Sequence, residues 1–256
     1  LTSRMIEPKR DEGFVITLAT TNAIADRVNE SEIESLPGKM ISFEGEILGH
    51  FEAKNLPTDE TLSLKIGAQI MFVANDSKGR WVNGTIGKIL DFTTNAKGDD
   101  CLKIITEDEE EYLVERYTWE LYQYGLDEFT GTPEAQVAGT FTQFPVRLAW
   151  ALTIHKSQGK TFDRVIVDIG NGSFAHGQVY VALSRCRSLE GLYLKKRIEK
   201  RHIMMDYAVT RFVTQYQYRL AEKQMGKEDR INFIERSILD AKDIEMLYLK
   251  GKDEKS

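Results

Sequence analysis

Hydrophobic and polar positions follow three different patterns along the chain. Residues 14–30 open with an apolar run, Phe14 to Leu18. Thr20, Thr21 and Asn22 follow, and then Ile24, Ala25 and Val28 on one helical face. Such a run, ending in side chains that can cap a helix, predicts a strand–loop–helix unit. Residues 36–62 hold Pro37, Gly38, Gly45, Gly49 and Pro57 with little period, and read as irregular chain.

From Leu64 the pattern becomes one of short strands. Ile70–Val73 is a strand and Asn75–Gly79 a turn, and Arg80–Gly87 reads as a glycine-bent strand pair. Ile89–Phe92 and Cys101–Ile105 continue the sheet. The acidic run Glu107–Glu111 is expected at a solvated hairpin tip, and Tyr112–Trp119 closes the set. Evenly spaced short strands with glycine turns predict a small barrel of roughly 60–80 residues.

After Phe141 strands alternate with helices. Pro145–Ala149, 164–169 and Gly191–Leu194 read as strands, 150–159 as a helical turn and 177–187 as a helix. Alternation of this kind predicts a parallel sheet, so the barrel interrupts a single α/β domain. Beyond Ile203, apolar residues at 203, 204, 207, 208, 212 and 216 suit one helix face. Gly226 interrupts that face, and 231–249 read as helix then strand.

Composition adds little until charge is mapped. The 256 residues are 41% hydrophobic and 29% charged, ordinary for a globular protein. No apolar run reaches the roughly 18 residues that cross a bilayer, so no membrane partner is expected. Cys101 and Cys186 stand far apart, which suits a reducing, cytoplasmic setting. The chain starts at Leu1 and ends in polar Lys252–Ser256, so both ends read as cut from something longer. Net charge is −6, yet residues 141–201 hold 11 Lys+Arg against 4 Asp+Glu, a local +7 that leaves −13 elsewhere. A basic segment in an acidic chain points to a local anion site.

Several motifs are decoys. Gly159-Lys160-Thr161 ends like a phosphate loop, but Ile154 occupies the position of the required glycine, and the loop feeds a strand. Gly170-Asn171-Gly172-Ser173-Phe174-Ala175 mimics a dinucleotide fingerprint. Glu190, at the spacing of the ribose-binding acid, precedes its strand, so a plain glycine loop is the better reading. His50, His155, His176 and His202 lack zinc spacing, and no serine sits in a nucleophile elbow. Trp81, Trp119 and Trp150 read as packing residues.

Leu148–Gly159 (LAWALTIHKSQG) resembles motif V of the Pif/RecD-like branch of superfamily-one DNA helicases, and Gly177–Arg187 (GQVYVALSRCR) resembles their motif VI. Leu64–Phe72 with Trp81–Gly87 is similar to the segment before their inserted SH3-like domain and its first strands. Thr20–Ala23 with Asn29 resembles the motif IV region. The resemblance covers roughly residues 10–200 in the family's order. It implies a RecA-like parallel-sheet domain over 1–63 and 141–202, interrupted by an SH3-like β-barrel over 64–140. A helical C-terminal extension over 203–256 follows. Within that, residues 231–250 are similar to the opening of WYL-type regulatory domains.

By the same resemblance, Arg185 is the arginine finger. Gln158, Gly159, Arg185 and Arg187 face ATP, and Thr153, His155, Lys156 and Ser157 meet the phosphates of single-stranded DNA. For Arg187, assisting the finger and pairing with a surface acid both stay open. Lys160 and Thr161 lie just past the block and inherit no role. Neither a P-loop nor the magnesium-binding acid of such motors is found in the sequence. The resemblance therefore implies ATP and Mg²⁺ bound with a missing N-terminal RecA-like domain, none held tightly by this chain alone, and no ATP hydrolysis or 5′-to-3′ unwinding without that domain. The rival readings are a non-catalytic DNA- or protein-binding module built on the barrel, and a complete small nucleotide-binding enzyme.

Overall fold

The first apolar run forms β1 (Ile16–Ala19), every residue of it buried. A computed structural model describes residues 13–52, 55–126, 133–170, 175–199, 202 and 206–224. After β1 comes α1 (Asn22–Ser35), capped by Thr21 in extended backbone (φ −131, ψ 156), whose hydroxyl accepts the Ile24 amide at 3.3 Å. At the other end Lys65 Nζ donates to the carbonyls of Glu34 (3.3 Å) and Leu36 (2.8 Å). These are acceptors that a helix C-terminus leaves open.

The region expected to be irregular contains three strands: β2 (Ile41–Glu44), β3 (Glu46–Gly49) and β4 (Thr61–Leu64). They escape a local reading because each is four residues long and its partner is distant. The antiparallel run continues with β5 (Gln69–Phe72), β6 (Ile86–Thr94), β7 (Asp100–Thr106) and β8 (Glu111–Val114), then β9 (Tyr117–Leu126), β10 (Pro133–Gln143) and β11 (Val146–Leu148). A five-stranded sheet has the order β11-β5-β6-β7-β8, a three-stranded one β3-β10-β9, and β2 pairs with β4. Two expectations change here. Residues 80–85 form an ordered loop rather than a strand, and the strand at Pro145–Ala149 pairs antiparallel with β5 instead of joining the parallel sheet.

The last part of this unit holds β12 (Ala151–Thr153), β13 (Val165–Asp168), α2 (Gln178–Leu183) and β14 (Leu192–Leu194). Together with β1 they make a fully parallel sheet ordered β12-β1-β13-β14. The chain from β2 to β11 thus lies wholly between α1 and β12, as an antiparallel insertion in a parallel α/β unit. Residues 150–159, expected as a helical turn, are a strand followed by tight turns. Parallel pairing of Thr17, Leu18 and Ala19 with 151–153 overrides the local helix propensity.

Each sheet has its own core. Leu18, Leu152, Val165, Val167 and Leu192 pack around the parallel sheet, and Phe72, Trp81, Leu102, Phe144 and Trp150 around the antiparallel one. Trp119 stacks on Phe141 at 5.6 Å, so all three tryptophans are packing residues, as expected. Gln69 joins the two layers. Its buried amide donates to the carbonyls of Val15 (3.0 Å) and Ala149 (2.7 Å). Gln143, also fully buried, donates to Phe43 O and Glu60 O and accepts from the Phe144 amide. Buried polar groups so paired add no desolvation penalty. By contrast, the β3-β10-β9 sheet leaves Leu48, Tyr122, Tyr124 and Val137 exposed.

Contacts divide the chain into Leu1–Met204 and Met205–Ser256. The second unit contains α3 (Tyr207–Gln224), with Phe212 and Tyr216 exposed and their rings stacked at 6.4 Å. The Gly226 break and the 231–249 pattern lie outside the described residues. No helix among the described residues is long and apolar enough to cross a membrane.

Candidate nucleotide and nucleic-acid interface

β12 is an edge strand, and an edge exposes unpaired backbone groups. The Asn29 side chain fills that gap: Nδ2 donates to Ala151 O (3.0 Å) and Oδ1 accepts from Ala151 N (2.8 Å), as a neighbouring strand would. The chain then coils through successive tight turns. Ser157 N donates to Thr153 O (3.1 Å), Gln158 N to His155 O (3.2 Å) and Lys160 N to Ser157 O (3.1 Å).

This coil separates the expected contact residues. Ser157 is fully buried and its hydroxyl donates to Ile154 O at 2.7 Å, so it builds the turn and is not presented outward. Thr153 is buried as well, its hydroxyl accepting from the Lys156 amide at 3.4 Å. His155, Lys156, Gln158 and Gly159 are exposed on the turn. Thr153 and Lys156 also line a cleft of about 320 Å³ together with Asp26, Asn29, Asp59 and Arg147.

Arg147 is the residue that sequence reasoning missed. Its Nη2 donates to Pro57 O at 3.1 Å. Burial and then the Arg147 charge push the Lys156 ammonium below the usual lysine range, with Asp26 and Asp59 pulling the other way. Burial and Arg147 do the same to Lys160. Lysines whose charge a neighbouring arginine disfavours mark a place where an anion would be welcome. The available signal was an arginine inside the otherwise apolar stretch 144–150.

Arg185 follows α2 and folds back over it. Nε donates to Val181 O (3.1 Å), Nη2 to Ser184 Oγ (3.0 Å) and Nη1 to Lys160 O (3.1 Å). Backbone bonds stitch the same two segments: Phe162 N donates to Arg185 O and Arg187 N to Phe162 O, each at 2.9 Å. Close approach is completed at Gly191, where a Cβ would lie 1.8 Å from Asp163 O. Of the two roles left open for Arg187, the geometry displays the ion pair, with Nη1 2.7 Å from Asp163 Oδ1. Both side chains are mostly exposed, so the pair adds little stability. The acidic run is the exposed tip of the β7–β8 hairpin, as expected, and Glu107 there feels this pair. Desolvation, then Asp163 and Asp108, raise its pKa, while Arg187 lowers it.

The decoys behave as loops. Gly159 takes φ 76 in the turn, with no helix N-terminus behind it to hold phosphate. Gly170 N donates to Asp168 Oδ1 (2.9 Å) as the chain leaves β13, while residues 171–174 lie outside the described residues. Among the described residues, no group of three or more His, Cys, Asp and Glu is placed to hold a metal.

Residues 148–193 match the UvrD-like helicase C-terminal domain. The chain is 36% identical over 198 residues to the ATP-dependent DNA helicase Pif1 of Bdellovibrio bacteriovorus, covering 75% of this chain and 42% of that protein. It is 37% identical over 188 residues to human ATP-dependent DNA helicase PIF1, covering 71% of this chain and 27% of the human protein. Unliganded Pif1 from Bacteroides superposes with a TM-score of 0.71 at 32% identity, over 85% of this chain and 47% of that one. Bacteroides Pif1 bound to single-stranded DNA gives 0.64 at 34%, over 79% and 45%. The chain therefore spans less than half the length of these relatives. The matched residues 148–193 hold β12, the turn after it, β13, α2 and the Arg185 that follows α2, and with the likeness to these relatives the chain belongs to the Pif1-like helicase family, matching its UvrD-like C-terminal region.

Proposed function

We propose that this chain is the C-terminal motor portion of an ATP-dependent 5′-to-3′ DNA helicase. It supplies an arginine finger and single-stranded DNA contacts, and turns over ATP only with a P-loop-bearing RecA-like domain. The observation that carries this reading is the hydrogen bond from Arg185 Nη1 to the carbonyl of Lys160. It joins a cation suited to a γ-phosphoryl group to the turn that displays His155 and Lys156. A permanently charged planar fork matches the charge spread of phosphoryl transfer. Exposed donors on a tight turn, beside Arg147, suit a sequence-independent backbone contact. Thr153 and Ser157 shape that turn, while Gln158 and Gly159 face the nucleotide edge. Arg187 is paired with Asp163. ATP and Mg²⁺ enter with the P-loop domain, and the antiparallel strands within 64–140 are read as its SH3-like insert.

The test joins this chain to such a domain and compares it with Arg185→Ala. Turnover should fall about 10³-fold or more while DNA affinity holds. Unaltered turnover would favour a non-catalytic binding module, and DNA-stimulated ATPase activity from pure 1–256 would refute the half-site.

A further inference from the structure

The loop joining β5 to β6 is braced from within. The Asp76 carboxylate accepts from the amides of Lys78 (3.0 Å) and Arg80 (3.2 Å) and from the Arg80 guanidinium (2.9 and 2.7 Å). The guanidinium bond, chief among these, holds its pKa far below the usual carboxylate range. Arg80 lies 4.4 Å from the Trp81 ring centroid, and Trp81 stacks on Phe72 at 4.5 Å. Asn83 N donates to Asn75 Oδ1 and Gly84 N to Phe72 O, each at 2.8 Å. The loop is therefore a rigid abutment, with Asn83 on its crest.

Lys160 lies across that crest. Its Nζ donates to Asn83 Oδ1 at 2.9 Å. Gly84 takes φ +104, and a Cβ there would come within 2.7 Å of Lys160 Nζ, so a glycine leaves the lane open. At its other end Lys160 offers its carbonyl to Arg185 Nη1 at 3.1 Å. The Val181 and Ser184 acceptors of Arg185 belong to the helix and turn that carry it. The Lys160 carbonyl comes from a different segment, anchored on the insert.

We propose that Asn83 and Lys160 are positioning residues for Arg185: their contact fixes the turn carbonyl that aims the guanidinium, so the antiparallel insert helps to set where the finger points. This rests on reading Arg185 as the finger. It also gives a function to Lys160, which the motif block leaves out. A DNA strand held by His155 and Lys156 pulls on the turn that ends at Lys160, and the guanidinium follows. A hydrogen bond of this exposed kind shifts an equilibrium by about 2- to 10-fold.

Nitrogen-detected NMR of the arginine side chains in this chain gives a readout independent of catalysis. Wild type should show slowed rotation about the Arg185 Nε–Cζ bond. Asn83→Ala, which leaves every charge in place, should speed it several-fold. Lys160→Met should do the same, Lys160→Arg should restore it, and the double variant should add nothing. In the protein joined to a P-loop domain, Asn83→Ala should lower kcat by about 2- to 10-fold with KM for ATP unchanged. Unaltered Arg185 rotation in Asn83→Ala, with the fold intact by Tm, would overturn the inference and leave the finger reading untouched. Altered rotation with unaltered kcat would overturn the positioning role. Full turnover in Arg185→Ala would instead remove the finger reading itself.

Discussion

Lys156 is exposed on the turn, yet it carries its positive charge at a cost, because partial desolvation and then Arg147 disfavour it. A bound phosphodiester reverses that balance, so DNA binding should raise its pKa and take up protons. The sign follows directly. A lysine depressed in the fold loses its charge at lower pH than a free one, so affinity for single-stranded DNA should fall on the alkaline side, starting below the ordinary lysine range. Lys156→Arg should flatten the decline, as titrations from neutral to alkaline pH would reveal. The unbound chain should gain a little stability over the same interval, since the unfavourable charge disappears first in the fold. Lys156→Ala should weaken binding uniformly across sequences and reduce the slope of log K against log salt by about 1. Ser157→Ala should leave that slope alone, because its hydroxyl is turned inward onto Ile154 O.

At the scale of elements, three junctions decide how the site is held. Asn29 closes the free edge of β12, Gln69 ties the antiparallel sheet to the parallel one, and Gly191 lets the chain after α2 approach Asp163. Gln69→Leu would leave buried carbonyls at Val15 and Ala149 without that donor. A loss of about 2–4 kcal/mol is expected in denaturant unfolding, with faster amide exchange in β5 and β12. Gly191→Ala drives a methyl into the Asp163 carbonyl and should cost about 3 kcal/mol or more, read as a lowered Tm. In the parallel unit β1, β13 and β14 were legible because they fall in mostly apolar runs, and α1 because it carries a clear cap. The pairs β2–β4 and β3–β10 were not. Nothing within four residues announces a partner that arrives from far along the chain. The helical turn expected at 150–159 gives way to strand at 151–153 for the opposite reason. Ala, Leu, Lys and Gln favour helix locally, but pairing with β1 and the Asn29 bonds outweigh a few tenths of a kcal/mol per residue.

For the whole molecule, the nesting of one sheet inside another matters most. The parallel sheet cannot close until the chain from β2 to β11 has let β12 return beside β1, so the fold is rich in contacts distant in sequence. Such topologies fold slowly. The same nesting carries Arg147 and Lys156 to the side of α1, Lys160 to the β5–β6 loop and Arg187 to the acidic β7–β8 tip. On the proposed reading of a half-site, the chain should bind ATP weakly by itself. Isothermal titration should find no tight ATP site on 1–256, and joining a P-loop domain should create one.

The sequence by itself determined the family blocks, the α/β alternation and the basic segment, because these are properties of residue type and spacing. Tertiary structure alone decided which of those residues face outward. The turn after β12 buries Ser157 and Thr153 and exposes His155 and Lys156. It also brings Arg147 beside them and sets Lys160 between Asn83 and Arg185. The physical reason is one of range. Propensity and motif spacing act over a few residues, whereas the orientation of a side chain and the company of a charge depend on sheet pairs formed across most of the chain.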